Sequence, residues 1–261
     1  MTSVPTNSSI KGRGTRHNPR SYSTWEWTRA YLVLALLLPL FPVMILLSGR
    51  TLPDWATRKL LRAHRRWTAA NAMDFRIPPN EAIPVYMQRW WRVPRNWAFN
   101  IYYHIVRRSD DDRALHDHPW FSFSIVLDGG YNEHEIKEGG IHTRTWYGPG
   151  AMRFRWHGRK AHRLELKQHH PADGWPPEMT TMRLADFNDI CTAGDGAFEL
   201  PATTIFITGP VLRRWGFHAA EHGWIDAYDW DAFCEANGIA AMRMDGGSDA
   251  VVSSRNLHKD N

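Results

Sequence analysis

His116-Asp117-His118-Pro119-Trp120 sets two imidazoles at positions i and i+2, and His162 follows later in the chain. Side chains two apart on a β-strand share a face. The pair can therefore offer two nitrogens to one metal ion, and His162 can supply a third. Three neutral nitrogen donors with coordination positions left open suit iron, zinc, nickel or copper, and leave room for chemistry. His157, in the turn Trp156-His157-Gly158-Arg159-Lys160, is the rival third donor. His104 alternates with Ile101, Tyr103 and Ile105 and so faces away from them, beside Tyr102. His104 and Tyr102 are candidates for supporting the ligands from behind. Arg213 and Arg214, in Thr208-Gly209-Pro210-Val211-Leu212-Arg213-Arg214-Trp215-Gly216, could clamp a carboxylate or phosphate through the planar guanidinium fork. The plainer reading pairs them with the acidic loop 110–112. No nucleophile elbow, P-loop, zinc knuckle or dinucleotide fingerprint is present.

The elements that must hold these residues read as β. Short alternating or aromatic runs cover 97–107, 120–127, 131–137, 143–147, 151–155, 162–166, 180–184, 203–208 and 222–227. Turns such as Asp128-Gly129-Gly130 and Gly148-Pro149-Gly150 separate them. That spacing predicts an antiparallel sandwich or barrel over 84–230. Residues 231–261 hold a short helix stopped by Gly238 and then a loose polar tail. The two cysteines have neither ligand nor framework spacing, so no disulfide scaffold is expected.

Charge divides the chain. Residues 1–66 hold eleven Lys/Arg against Glu26 and Asp54, whereas the remainder is mildly acidic, so the net +5 belongs to the N-terminal quarter. Nucleic-acid binding by the main domain loses its support, and a membrane surface explains the segregation better. Residues 1–24 read as a disordered basic tail. Within 25–49, eighteen uncharged residues from Ala30 to Leu47 would span roughly 27 Å as a helix. Trp25, Trp27 and Trp55 flank them. Pro39 and Pro42 leave two readings open, a single transmembrane span or a re-entrant anchor. Residues 50–75 read as a basic amphipathic helix with an apolar stripe at Ala56, Leu60, Ala63, Trp67 and Ala70. It could lie on an anionic leaflet or pack on the next domain.

The histidine pattern resembles the cupin superfamily, whose first motif has the form G-x5-H-x-H-x3,4-E-x6-G. His116 and His118 match the pair, Gly130 falls at the closing glycine, and Phe123 takes the glutamate's place. The second motif, G-x5-P-x-G-x2-H-x3-N, is looser: Gly148-Pro149-Gly150 supplies its turn, His162 its displaced histidine, and no asparagine follows. RSDDDRALHDHPW (108–120), IVLDGGY (125–131), AHRLEL (161–166), TIFITGPVLRRWGFH (204–218) and GWID (223–226) look more closely like an uncharacterised cupin-like family of bacteria and phages. The resemblance implies a double-stranded β-helix (jelly-roll) barrel, mainly β, behind the membrane helix and the amphipathic helix. It also implies a divalent metal, Fe(II) foremost, with zinc, nickel and manganese open. Three-histidine cupin dioxygenases share the missing carboxylate, with Tyr102, Trp120, Phe123 and Trp215 available as hydrophobic lining. A mononuclear non-haem iron oxygenase is the function implied, with a non-catalytic binding or sensing module, or a metal-assisted isomerase, as alternatives. Expected partners are membrane lipids and a small-molecule or lipid-linked substrate, with a homodimer compatible. The expected location is the bacterial inner membrane, barrel on the cytoplasmic side.

Overall fold

The computed structural model describes residues 23–77, 85–110, 114–137, 141–156, 160–169, 198–219 and 222–238. The expected basic tail, the strand at 180–184, the rival His157 and most of the C-terminal tail lie outside the described residues. Two helices come first, α1 (Thr24–Leu47) and α2 (Asp54–Ala70). Then follow β1 (Phe75–Ile77), β2 (Met87–Trp91), β3 (Asn100–Val106), β4 (Leu115–His116), β5 (Ser122–Asp128), β6 (Tyr131–Ile136) and β7 (His142–Tyr147). The chain continues through β8 (Met152–Arg155), β9 (His162–Leu166), β10 (Gln168–His169), β11 (Phe198–Glu199), β12 (Ala202–Thr208), β13 (Gly216–Ala219) and β14 (Gly223–Asp226), and ends in α3 (Trp230–Ala236).

Two six-stranded antiparallel sheets form, in the orders β1-β2-β3-β12-β5-β8 and β14-β13-β4-β9-β6-β7. From β3 onward the chain crosses between the sheets at nearly every step, the double Greek-key path of a jelly roll. One such corner is Gly129-Gly130, between β5 and β6. Gly129 has φ +65°, and a Cβ there would meet the Pro201 carbonyl oxygen at 2.1 Å, so only glycine fits.

Strand alternation explains both faces of the first sheet. Ile101, Tyr103 and Ile105 of β3, Phe123, Ile125 and Leu127 of β5, and Ile205 and Ile207 of β12 turn outward, where the helices cover them. Leu60, Leu61 and Trp67 of α2 pack on Trp90, Tyr103, Leu127 and Ile205. The buried stripe of α2 is thus Thr57, Leu60, Leu61, His64 and Trp67, rotated from the alanine-lined stripe read from the sequence; Ala63 and Ala70 are exposed. The large side chains decide the docking face, because alanine adds little apolar area. Arg58, Lys59, Arg62 and Arg66 stay exposed.

His64 is 1% exposed and lies with its ring 4.5 Å from that of Tyr103. Burial pulls its pKa down from 6.5 to about 4, with Arg65 and Arg92 pushing the same way and the His104 backbone opposing. The folded pKa lies below the unfolded one, so the unfolded chain binds the extra proton first. Stability is then full above pH 6.5 and falls as the pH drops toward 4. The loss is at most about 3 kcal/mol from this group. Urea midpoints measured across that window should fall with acid, and His64→Leu should flatten the slope; an unchanged slope would remove His64 from the account.

The last turns of α1 pack on the outer face of β5 and β8. Phe41, Met44 and Leu47 join Phe121, Phe123, Met152 and Phe154 in one cluster. The chain that follows covers the outer edge of β8. Gly49 N donates to Met152 O (2.9 Å), Met152 N to Arg50 O (3.0 Å) and Phe154 N to Ser48 Oγ (2.9 Å). An exposed strand edge is thereby closed to other chains. α1 runs unbroken through Pro39 and Pro42. Among the residues whose side chains are described, no helix is long and apolar enough to cross a membrane.

Candidate metal centre

His116 closes β4 and pairs directly with His162 of β9. His118 lies two residues on, beyond the strand end. The three rings converge: centroids are 5.0 Å apart for His116 and His118, 4.7 Å for His116 and His162, and 5.1 Å for His118 and His162. One ligand nitrogen from each lies within 4.8 Å of the others. His118 Nε2 and His162 Nε2 are 2.9 Å apart. Two nitrogens held about 2.1 Å from a common ion at right angles would be separated by about 3 Å, so the donor set fits a single ion.

Burial drives the pKa of His118 and His162 well below 6.5. His116, Arg155, Arg89 and Arg213 reinforce this at His118, and Arg155, His116, His118 and Arg153 at His162. Neutral imidazoles with free lone pairs are the state a metal requires.

Behind His162 lies a residue that the sequence reading passed over. Glu133 of β6 is 1% exposed, and its Oε1 is 2.8 Å from His162 Nδ1. The two atoms are close but not aligned as a hydrogen bond; a carboxylate this near the far ring nitrogen favours its proton there and strengthens the imidazole as a ligand. Glu133 in turn contacts Arg155, and Arg153 Nε is 3.3 Å from its Oε2. Glu135 meets Arg153 at 2.8 Å and Arg155 at 3.6 Å. Glu133-x-Glu135 and Arg153-x-Arg155 were the available signal: same-sign charges at period two belong on one strand face. His116 Nδ1 is 3.7 Å from Asp110 Oδ2.

The middle residue of the histidine motif turns the other way. Asp117, 1% exposed, accepts from Gly216 N (2.9 Å) and Trp224 Nε1 (3.0 Å), contacts His218 Nε2 (3.1 Å) and pairs with Arg213 at 2.8 Å. Burial alone would raise its pKa, but His218, Arg213 and Gly216 together hold it below the usual range. Arg213 therefore sits beside the motif, and its charge is felt at His118. Arg214 pairs with Asp226 at 3.1 Å on a side chain 74% exposed, away from the three rings. Among the described residues the two arginines pair with Asp117 and Asp226, while Asp111 and Asp112 of the acidic loop lie outside them.

Tyr102 and His104 do face the barrel interior, but at one remove from the centre. Their rings stack at 5.3 Å, Phe206 lies 5.3 Å from His104, and Phe206 lies 6.4 Å from His118. Arg89 Nε donates to His104 Nε2 (3.0 Å). Trp120 stacks on His118 at 5.8 Å and Trp215 meets His116 at 6.5 Å, so both line the centre. Phe123 does not. It points outward beneath α1, and the inward residues of β5 are Ser122, Ser124 and Val126. The loop after His116 resets the strand alternation, so spacing from the motif assigns Phe123 to the wrong face.

The inner four strands of one sheet run β3-β12-β5-β8 and those of the other β4-β9-β6-β7, the paired order of an eight-stranded jelly roll. His116 sits on β4 with His118 just past the strand's end, and His162 lies on the adjacent β9. The chain has the cupin fold. No family model matches it, and no curated protein does. Solved structures similar to this chain include oxalate decarboxylase from Bacillus subtilis, at 11% identity over 59% of this chain and 32% of that one, TM-score 0.31. Another is Fe(II) HppE, at 15% identity over 48% and 50%, TM-score 0.29. A third is a cupin-like protein from Thermotoga maritima, at 12% identity over 51% and 76%, TM-score 0.30. The match thus spans about a third of the decarboxylase's own length.

Proposed function

We propose that this cupin is a mononuclear metal enzyme, a non-haem iron oxygenase acting on a small or lipid-linked anionic substrate. The observation that carries the reading is the convergence of His116, His118 and His162. When bound there, Fe(II) would supply a centre able to engage O2 and a substrate donor together. Three imidazole donors with open positions suit an octahedral Fe(II), which keeps sites for O2 and substrate. Arg89, Arg153, Arg155 and Arg213 are matched near the centre by Glu133, Glu135, Asp110 and Asp117. Three neutral ligands leave the ion's own charge uncompensated, which favours an anionic substrate. Arg213 at the rim is the group best placed to orient one, while Trp120 and Trp215 limit water.

The barrel is proposed to sit at a membrane, on the cytoplasmic side of a bacterial inner membrane. Trp25, Tyr31, Leu32 and Leu46 of α1 are each more than half exposed, and the exposed face of α2 is basic. Both features suit an anionic leaflet.

Metal analysis of the purified full chain, with oxygen uptake, tests the assignment. Iron near one equivalent is expected, falling to background in His116→Ala and His118→Ala. Zinc in its place, with no oxygen uptake, would sink the oxygenase. A bound metal with no turnover across anionic substrates would instead leave a binding or sensing module.

A further inference from the structure

Where α1 ends against β8, a pocket of about 320 Å³ opens between Ile45, Arg153, Phe154, Arg155, Trp156 and Lys160. The metal chemistry does not use it. β8 is the outermost strand of its sheet, so residues from both of its faces reach the opening. Arg153 and Arg155 bring two positive charges, matched by Glu133 and Glu135. Lys160 is exposed and makes no ion pair among the described residues, which leaves the pocket cationic.

Its other wall is apolar and continues outside. Ile45 is 44% exposed and Trp156 56%, so the apolar wall reaches the surface. A free anion would meet only the cationic wall, and a neutral alkyl chain only the other. An occupant satisfying both has an anionic head and a hydrocarbon tail. The volume lies at the small end of the range for ligand sites, roughly 300–1,000 Å³, so it suits a headgroup rather than a whole lipid.

We propose that this pocket binds the phosphate headgroup of a lipid, with the acyl chain lying against Ile45 and Trp156. The inference rests on the membrane contact proposed above and not on the identity of the metal. It assigns Lys160 as the residue that selects anionic over zwitterionic heads, and Ile45 as the contact for the chain.

Full-length protein in a non-ionic detergent is titrated with dioctanoyl phosphatidic acid, followed by native mass spectrometry and calorimetry. One saturable site is expected, with affinity about tenfold weaker in Lys160→Glu. Ile45→Asp should weaken it as well. Both residues lie at the surface, so folding is not at stake in either variant. Equal binding of dioctanoyl phosphatidylcholine, equal competition by inorganic phosphate, or wild-type affinity in Lys160→Glu would each overturn the proposal. Flotation on neutral vesicles reads the membrane contact separately, so its failure is distinguishable from failure of the pocket.

Discussion

Glu133→Gln is expected to weaken metal binding by about 10–100-fold, the usual effect of removing the carboxylate behind a ligating imidazole. The charge matters because His162 Nδ1 faces Glu133 Oε1 at 2.8 Å. A carboxylate draws the proton to Nδ1 and leaves Nε2 for the ion, whereas an amide can present its NH2 and favour the other tautomer. A second cost falls on the fold. Burial pulls the Arg155 pKa down to about 10, so the guanidinium still carries its charge at neutral pH. Without Glu133 its ion-pair partner among the described residues is Glu135, at 3.6 Å, with Asp110 acting from farther away. Removing one member of a buried ion pair costs about 3–5 kcal/mol. Chelator competition reads the first effect and urea unfolding of the metal-free protein reads the second. Unchanged affinity in a destabilised variant would reduce Glu133 to a purely structural residue.

Asp117→Ala is expected to cost about 3–5 kcal/mol, since it strands several donors around one buried carboxylate. Gly216 N, Trp224 Nε1, His218 and Arg213 all converge on it. These contacts hold the β13–β14 hairpin against β4, so the loss should spread to the position of Trp215 beside His116. Metal affinity is expected to fall less than in Glu133→Gln, because Asp117 faces away from the ligand nitrogens. Thermal unfolding and chelator competition on the same preparation give both numbers. A larger affinity loss than that of Glu133→Gln would mean Asp117 supports the centre more directly than its contacts indicate.

His116 and His162 were legible because each falls on a strand, and the two strands pair at those residues; His118 lies past the end of β4 and still converges on them. The strands were legible from their alternation: β9 matches its alternating run residue for residue. Phe123 was misread because counting outward from the motif presumes unbroken strand. β4 ends at His116 and β5 begins at Ser122, and the intervening loop carries no parity. Glu133 and Arg155 were visible as alternating charges, yet their pairing depends on which strands face across the barrel, and no local pattern contains that. β13 escaped notice because Gly216–Ala219 is four residues long beside a turn-rich stretch. The amphipathic period of α2 was plain, but the covered side depended on the size of Leu60, Leu61 and Trp67.

The join between α1 and the barrel gives the molecule a fixed heading. A helix tied by a loose linker would let the barrel swing beneath it. Here three hydrogen bonds to β8 and a wedge of aromatic rings lock the two together. The end of α1 and the barrel therefore move as one unit. Cutting the chain after residue 50 would also strip Phe41, Met44 and Leu47 from Phe123 and Phe154 and leave that hydrophobic face of the barrel exposed.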